Sequence, residues 1–157
     1  MNKDNNIMEE KKILYFNSKD LRGNLELNLF LEEVFIEYDY IPIVSTCTNG
    51  LGERYFVVCT DSIEDLCYML IKVDNTSNLV DVLENRKPTM SVFEVESKNK
   101  HKVILIGNNE VTEKWLSEIK EEDLPSSKAY LNLEKERKIR EYVAQIKKEV
   151  ANTNTNT

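Results

Sequence analysis

Reactive chemistry in this chain would have to come from one histidine and a few carboxylates. His101 is the only histidine, and it follows the polar residues 98–100 in a lysine-rich turn. A catalytic histidine needs neighbours that orient its ring, so this one is expected to be solvated. The sequence also has no glycine-rich phosphate loop and no G-x-S-x-G elbow. It therefore predicts no catalytic residue and no cofactor-binding residue.

Four acidic residues around one predicted strand are the first candidates for a cation site. They are Asp61, Glu64, Asp65 and Asp74. Their spacing fits no calcium-binding loop, so we expect solvated acids and predict no metal site. A small carboxylate-dependent hydrolase stays open as an alternative. It would require Asp61, Glu64 and Asp74 to converge in a cleft.

Two further groups of residues could contact a partner protein. Three glutamates within residues 32–37 form an acidic ridge that could face a basic partner, or could protect an edge strand from aggregation. An apolar stripe with spacings of three and four runs along the predicted C-terminal helix, where it docks on the domain or pairs with another helix. The candidate partner-binding residues are Glu32, Glu33, Glu37, Ile139, Tyr142, Val143 and Ile146.

A β-meander over residues 41–73 is the centre of the predicted fold. Strands over residues 41–48, 54–61 and 66–73 are rich in β-branched and aromatic side chains. The Asn-Gly pair at residues 49–50 supplies the positive φ angles of a tight turn, and Gly52 offers a second such position.

The register of the meander can be predicted from its one proline and its cysteines. Pro42 cannot donate a ladder hydrogen bond, so its strand lies at an edge or starts at a bulge. In the first hairpin, Cys47 is expected near Tyr55. In the second, Cys59 is expected directly opposite Cys67, as two thiols in contact without a bond. The side chains predicted to share one face are Ile41, Ile43, Cys47, Tyr55, Val57, Cys59, Cys67, Met69, Ile71 and Val73.

The rest of the chain adds strands and helices on both sides of the meander. Residues 25–38 fit a helical stripe and also two out-of-phase alternations, which a β-bulge would join. Pro88 ends a helix that begins at the caps of residues 75–77, and Thr112 could cap another helix with Trp115, Leu116 and Ile119 on its apolar face. The remaining predicted elements are strands at residues 12–16 and 103–106 and a long helix at residues 133–150.

These elements predict an α+β fold with a small, mainly antiparallel sheet, a meander, and two to three helices. The longest helix is at the C-terminus. We expect a sheet domain over residues 11–125, a semi-independent helix over residues 129–150, and disordered ends at residues 1–10 and 151–157.

Composition and charge restrict the function classes. The 157 residues carry a net charge of −7. Residues 1–127 contain 24 acids and 14 bases, whereas residues 128–157 contain 4 acids and 7 bases. An acidic body disfavours nucleic-acid binding. No signal-peptide pattern and no apolar run of about 20 residues is present, so a cytoplasmic protein without membrane contact is expected. Three cysteines without a C-x-x-C pair favour neither a disulfide framework nor a zinc site.

The stretch over residues 21–93 has a characteristic order of features: Leu-Arg-Gly-Asn-Leu-Glu-Leu at residues 21–27, a Tyr-Asp-Tyr corner at 38–40, an apolar strand ending at Cys47, the Asn-Gly turn, and a strand led by Tyr55. In this order it resembles a family of short bacterial proteins known only as a domain of unknown function. The resemblance implies a small α+β domain and a strand over residues 25–38. It brings no known catalytic residues.

Three function hypotheses follow. The leading one is a small, acidic, non-catalytic protein-interaction module that acts through its sheet edge or its C-terminal helix, either of which could also form a homo-oligomer. The second is an inhibitor or immunity protein from a mobile element, which blocks a basic nucleic-acid-binding partner. The third is the carboxylate-dependent hydrolase. Acids clustered on one exposed face would favour the second over the first.

Overall fold

Within the described residues, seven antiparallel strands form one sheet in which every strand neighbours the next along the chain. The computed structural model describes residues 14–17, 28–38, 41–59, 67–107, 110–134 and 136–155. The predicted antiparallel meander and the α+β class are confirmed. The strands are β1 (Leu14–Asn17), β2 (Asn28–Tyr38), β3 (Ile41–Asn49), β4 (Arg54–Cys59), β5 (Tyr68–Lys72), β6 (Lys102–Gly107) and β7 (Glu110–Trp115).

Two helices, α1 (Thr76–Leu83) and α2 (Arg137–Thr155), pack on one face of the sheet. Asn75 caps α1, as predicted, by accepting a hydrogen bond from the backbone N–H of Asn78 at 3.2 Å. Asn85 ends it in the left-handed region at φ 63°, with the Arg86 N–H bonded to the Asp81 carbonyl. Neither helix is long and apolar enough to cross a membrane.

The core on the helix side of the sheet joins both helices to the central strands. Phe56 of β4 and Phe93 meet edge to face at its centre, with ring centroids 6.4 Å apart. The helical residues buried there are Leu79, Val80, Val82, Leu83, Ile139, Tyr142, Val143 and Ile146. A second cluster lies on the opposite face and includes Leu29, Cys47, Val57, Tyr68, Leu70, Ile104, Ile106 and Val111.

Strand β2 contains two bulges, which resolve the ambiguous pattern of residues 25–38 in favour of a strand. The register with β3 shifts between Leu31 and Glu33 and again between Val34 and Ile36. Each shift places two consecutive side chains on the helix side, first those of residues 32–33 and then those of residues 35–36. The strand assignment and the bulge are confirmed for residues 28–38; residues 25–27 lie outside the described residues.

The first hairpin has the predicted pairing but a different turn. Cys47 pairs with Tyr55, as expected. The positive φ angle lies at Gly52, at 82°, rather than at the Asn-Gly pair. The Asn49 side chain accepts hydrogen bonds from the N–H groups of Leu51 and Glu53, both at 2.9 Å, and so closes the loop itself.

The register predicted for the second hairpin is wrong by one residue. Cys59 pairs with Tyr68 instead of Cys67. The slip reverses the faces of β5, so Met69 and Ile71 join the helix-side core. Because residues 68–71 are buried on both faces, alternation carries no information about register there. The three cysteines form no disulfide.

Two further expectations are corrected at the ends of the sheet. The helix predicted from Thr112 is a strand, β7, followed by a short 3₁₀ turn at Leu116–Glu118. Its Trp115 ring stacks on the Lys102 ammonium at 4.8 Å rather than facing a helical core. Pro42 lies in an internal strand beside a register shift, so the bulge alternative holds and the edge alternative does not.

The C-terminal helix shares a buried core with the sheet, and the predicted division into residues 11–125 and 129–150 stays a prediction. Its apolar stripe is buried against α1 and the sheet. The helix also continues to Thr155, so residues 151–155 are helical rather than disordered. The other predicted disordered end, residues 1–10, lies outside the described residues.

Removing residues 137–157 is expected to abolish cooperative unfolding. Each of the four buried stripe side chains contributes roughly 1.5–3 kcal/mol, and together they match the about 5–15 kcal/mol of a typical domain. The milder substitution Ile146→Ala should cost about 2–5 kcal/mol because the side chain is fully buried. The exposed neighbour Gln145→Ala is the control. Urea unfolding measures all three, and a truncated chain that still unfolds cooperatively would contradict the packing described.

Candidate functional site

An open groove between β2 and α2 brings together most of the charged candidates. It has a volume of about 930 Å³. Strand β2 forms one wall and one face of α2 the other. The lining residues are Phe30, Leu31, Glu32, Glu33, Val34, Thr48, Lys138, Glu141, Tyr142 and Gln145.

The groove runs beside residues 31–38 of β2. Within the described residues, strand β1 pairs with residues 28–30 of β2. Among the residues that the structure describes, no strand therefore pairs with residues 31–38 on the side away from β3. The backbone of this half-strand forms an open sheet edge within the described part of the chain.

A hydrogen-bonded ion pair forms the floor of the groove. Arg54 of β4 donates from Nε to Glu32 Oε1 and from Nη2 to Glu32 Oε2, both at 2.8 Å. The Tyr142 hydroxyl of α2 donates to Glu32 Oε1 at 2.6 Å and lies 3.0 Å from Thr46 Oγ1 of β3. Three strands and one helix therefore meet at a single carboxylate.

Aromatic contacts hold the same cluster in place. The Arg54 guanidinium lies 5.7 Å from the centre of the Tyr142 ring, and Phe35 meets that ring edge-on with centroids 5.4 Å apart. Arg54 also contacts Glu149 Oε2 at 3.1 Å. The side chains of Arg54 and Glu32 are 13% and 20% exposed, so this is a largely desolvated pair rather than a surface one.

The electrostatics of the cluster keep Glu32 ionised. Burial alone would raise the pKa of Glu32, but the hydrogen bonds from Arg54 and Tyr142 and the Arg54 charge outweigh it and lower the pKa. Burial and the Glu32 charge raise the pKa of Tyr142, so its hydroxyl stays protonated and donates. Within the described residues, the partners of this carboxylate are all groups of the protein's own interior.

The neighbouring Glu33 is in the opposite situation. Burial raises the pKa of its carboxyl group, and the Lys138 charge offsets only part of this effect. Glu33 belongs to none of the ion pairs formed within the described residues. It is a half-buried acid on the groove wall whose charge is only partly compensated. Glu37, further along the same edge, is exposed.

The structure divides the seven predicted partner-binding residues into two groups. Glu33 and Glu37 lie at the open edge of β2. The stripe residues Ile139, Tyr142, Val143 and Ile146 are buried in the chain's own core, and Glu32 is bound to Arg54. Partner binding at the seven positions stays a prediction. Sequence reasoning missed Arg54, although an arginine that leads an otherwise apolar strand needs a counter-ion.

A second cleft, of about 790 Å³, contains the histidine. His101 is 9% exposed, so the expected solvated turn residue is in fact buried. Its Nδ1 lies 3.1 Å from Asp74 Oδ2, and its Nε2 lies 3.2 Å from the Lys72 carbonyl oxygen. Both ring nitrogens are thus occupied by groups of the protein.

Of the predicted acid cluster, Asp74 lies within the described residues. Asp74 lines the histidine cleft, but Asp61, Glu64 and Asp65 lie outside the described residues. Within the described ranges, no three histidine, cysteine or acidic side chains gather as metal ligands would.

Comparisons of the chain with protein-family models, with curated proteins and with solved structures found no match. The family resemblance of residues 21–93 therefore stays a prediction.

The substitution Glu32→Gln is expected to lower the free energy of unfolding by about 2–3 kcal/mol at neutral pH. This is less than the about 3–5 kcal/mol lost when a fully buried pair is broken, because both side chains keep some solvent contact. Tyr142→Phe should cost about 1–2 kcal/mol. Since the pKa of folded Glu32 lies below its ordinary 4.5, the stabilisation is complete above that pH and is lost as pH falls through the folded value.

The adjacent Glu33→Gln is the matched control, with the opposite sign. Because the pKa of folded Glu33 is raised, its charge destabilises the fold at neutral pH, and the glutamine variant should gain stability there. This gain should vanish as the medium is acidified below the ordinary glutamate range. Urea unfolding across pH measures both variants, and parallel pH profiles for the two would contradict the assignment.

Proposed function

We propose that this chain is a non-catalytic protein-interaction module that binds an extended, basic segment of a partner protein along residues 31–38 of β2. The observation that carries the proposal is the groove beside residues 31–38 of β2, which contains Glu33, a half-buried carboxylate that the Lys138 charge compensates only in part. Within the described residues, no strand pairs with residues 31–38 on the side away from β3. No reaction is assigned to the site.

Strand addition is the binding mode that suits such an edge. An extended segment can form main-chain hydrogen bonds with an open strand, while alternate side chains enter pockets on one face. The groove lies on the helix side of β2, where every second side chain of an added strand would point. Helix α2 would form the far wall for those side chains.

The lining of the groove selects basic and apolar side chains. A lysine or arginine of the partner would relieve Glu33, whose charged form is disfavoured by burial. Glu37, exposed at the end of the same edge, offers a second acidic contact. Phe30, 38% exposed at the other end, offers an apolar one. The expected partner segment therefore combines basic and apolar residues.

The rigidity of the groove also favours binding. Glu32, Arg54 and Tyr142 are fixed by their mutual hydrogen bonds, so the floor does not need to be ordered when a partner arrives. Binding to a preorganised surface avoids the entropy cost of immobilising side chains. Stability and recognition thus depend on the same cluster.

The mobile-element inhibitor hypothesis receives less support from the charges. Many described acids are paired with bases: Asp81 with Arg86, Glu53 with Lys72, and Glu113 with Lys102. Such interleaving suits recognition of a short segment better than coverage of a broad basic groove.

We propose that the protein acts in the cytoplasm. The three cysteines form no disulfide, which favours a reducing compartment.

A displayed library of random peptides of about 12 residues, long enough to span a strand, tests the proposal. Enriched peptides are expected to combine lysine or arginine with apolar residues and to shift the NMR amide signals of residues 31–38. Glu33→Lys should weaken their binding by about tenfold or more, as expected for the loss of a partly buried charge pair.

The control is Glu122→Lys, which changes net charge by the same amount at an exposed residue outside the groove lining. It should leave peptide affinity within about twofold, because an exposed charge outside the groove is screened by salt. Equal losses for the two variants, or enriched peptides that shift other parts of the sheet, would overturn the proposed site.

A further inference from the structure

The opposite edge of the sheet, β7, is regular over its whole length. Its six residues pair with β6 without a register shift, from Lys102 with Trp115 to Gly107 with Glu110. Among the described residues, no strand or loop backbone bonds to its outer side. Every β7 side chain except that of Val111 is exposed.

We propose that β7 pairs antiparallel with β7 of a second copy, about a two-fold axis that passes through Thr112. The two sheets would then join into one continuous sheet. In this register Thr112 faces Thr112 of the second copy, and Glu110 of each copy faces Lys114 of the other. The contact would contain two symmetric ion pairs, one on each side of the axis.

The charge order of β7 selects this register. A two-fold axis perpendicular to a sheet places one residue opposite its own copy, and its neighbours pair in sequence outward. An axis at Glu113 or at Lys114 would put like charges directly opposite each other, which is destabilising. An axis at Val111 would pair Glu110 with Thr112. Only the axis at Thr112 pairs opposite charges.

The faces of the strand agree with this arrangement. Thr112 and Lys114 pair with Leu105 and Val103 of β6, two residues of the helix-side core, so Lys114, Thr112 and Glu110 point to the helix side. The charge on the other face, Glu113, already contacts Lys102 at 2.9 Å.

A β7 contact would leave both β2 grooves accessible. Strands β2 and β7 lie near opposite ends of the sheet order, so the dimer would carry one groove toward each end. Such an assembly could bind a partner with two basic segments more tightly than either groove alone. The dimer itself does not depend on the proposed partner.

Sedimentation equilibrium of the full chain tests the proposal, at concentrations up to about 1 mM, where even a millimolar dissociation constant gives measurable dimer. The wild type should show a monomer–dimer equilibrium. Lys114→Glu should raise the dissociation constant by about tenfold or more, because two attractive pairs become repulsive ones. The double swap Glu110→Lys with Lys114→Glu should restore wild-type association. A wild type that stays monomeric, or a swap that fails to rescue, would overturn the register.

A cysteine pair provides a second, covalent readout. Thr112→Cys places two thiols directly opposite across the axis, within the 4.5–5.5 Å Cα separation of facing residues (an approximate range). Mild oxidation should therefore yield a disulfide-linked dimer. Lys114→Cys faces Glu110 of the other copy and should remain mostly uncrosslinked. Equal crosslinking of the two variants, or none with Thr112→Cys, would contradict the proposed axis.

Discussion

The ion pair between Glu32 and Arg54, completed by the Tyr142 hydroxyl, is the interaction on which the arrangement of the domain depends. A largely buried carboxylate is costly unless nearly all of its oxygen lone pairs are used, and here a strand, a neighbouring strand and a helix all supply donors. The pair thereby fixes how α2 lies on the sheet. It also fixes the floor of the groove, so one set of bonds determines both the fold and the candidate binding surface.

Much of the fold could be predicted from the sequence wherever one pattern had one physical meaning. The Asn49 hairpin, the Asn75 helix cap and the meander follow from turn chemistry, capping and β-branched runs. The face of β5 could not be predicted, because its residues are buried on both sides and either register satisfies them. Strand β7 could not be predicted either, because its single buried residue, Val111, provides no alternation.

The candidate site was only partly visible in the sequence for a different reason. The glutamates of β2 form an acidic ridge in the sequence. A bulge turns the adjacent pair Glu32 and Glu33 toward the helix side, where their environments are opposite. Arg54 makes Glu32 a structural anion, whereas Glu33 lies beyond its reach and keeps a raised pKa. The long-range pairing that separates these roles joins residues far apart in sequence, which local patterns do not encode.

The most direct measurement of the central claim, an open β2 edge beside a preformed groove, is backbone amide hydrogen exchange of the free protein. Within residues 31–38, amides that point toward β3 should exchange slowly, while those that point outward should exchange rapidly, as expected for N–H groups without a strand partner. Uniform slow exchange over all of these residues would mean that the edge is already covered, and would contradict the account.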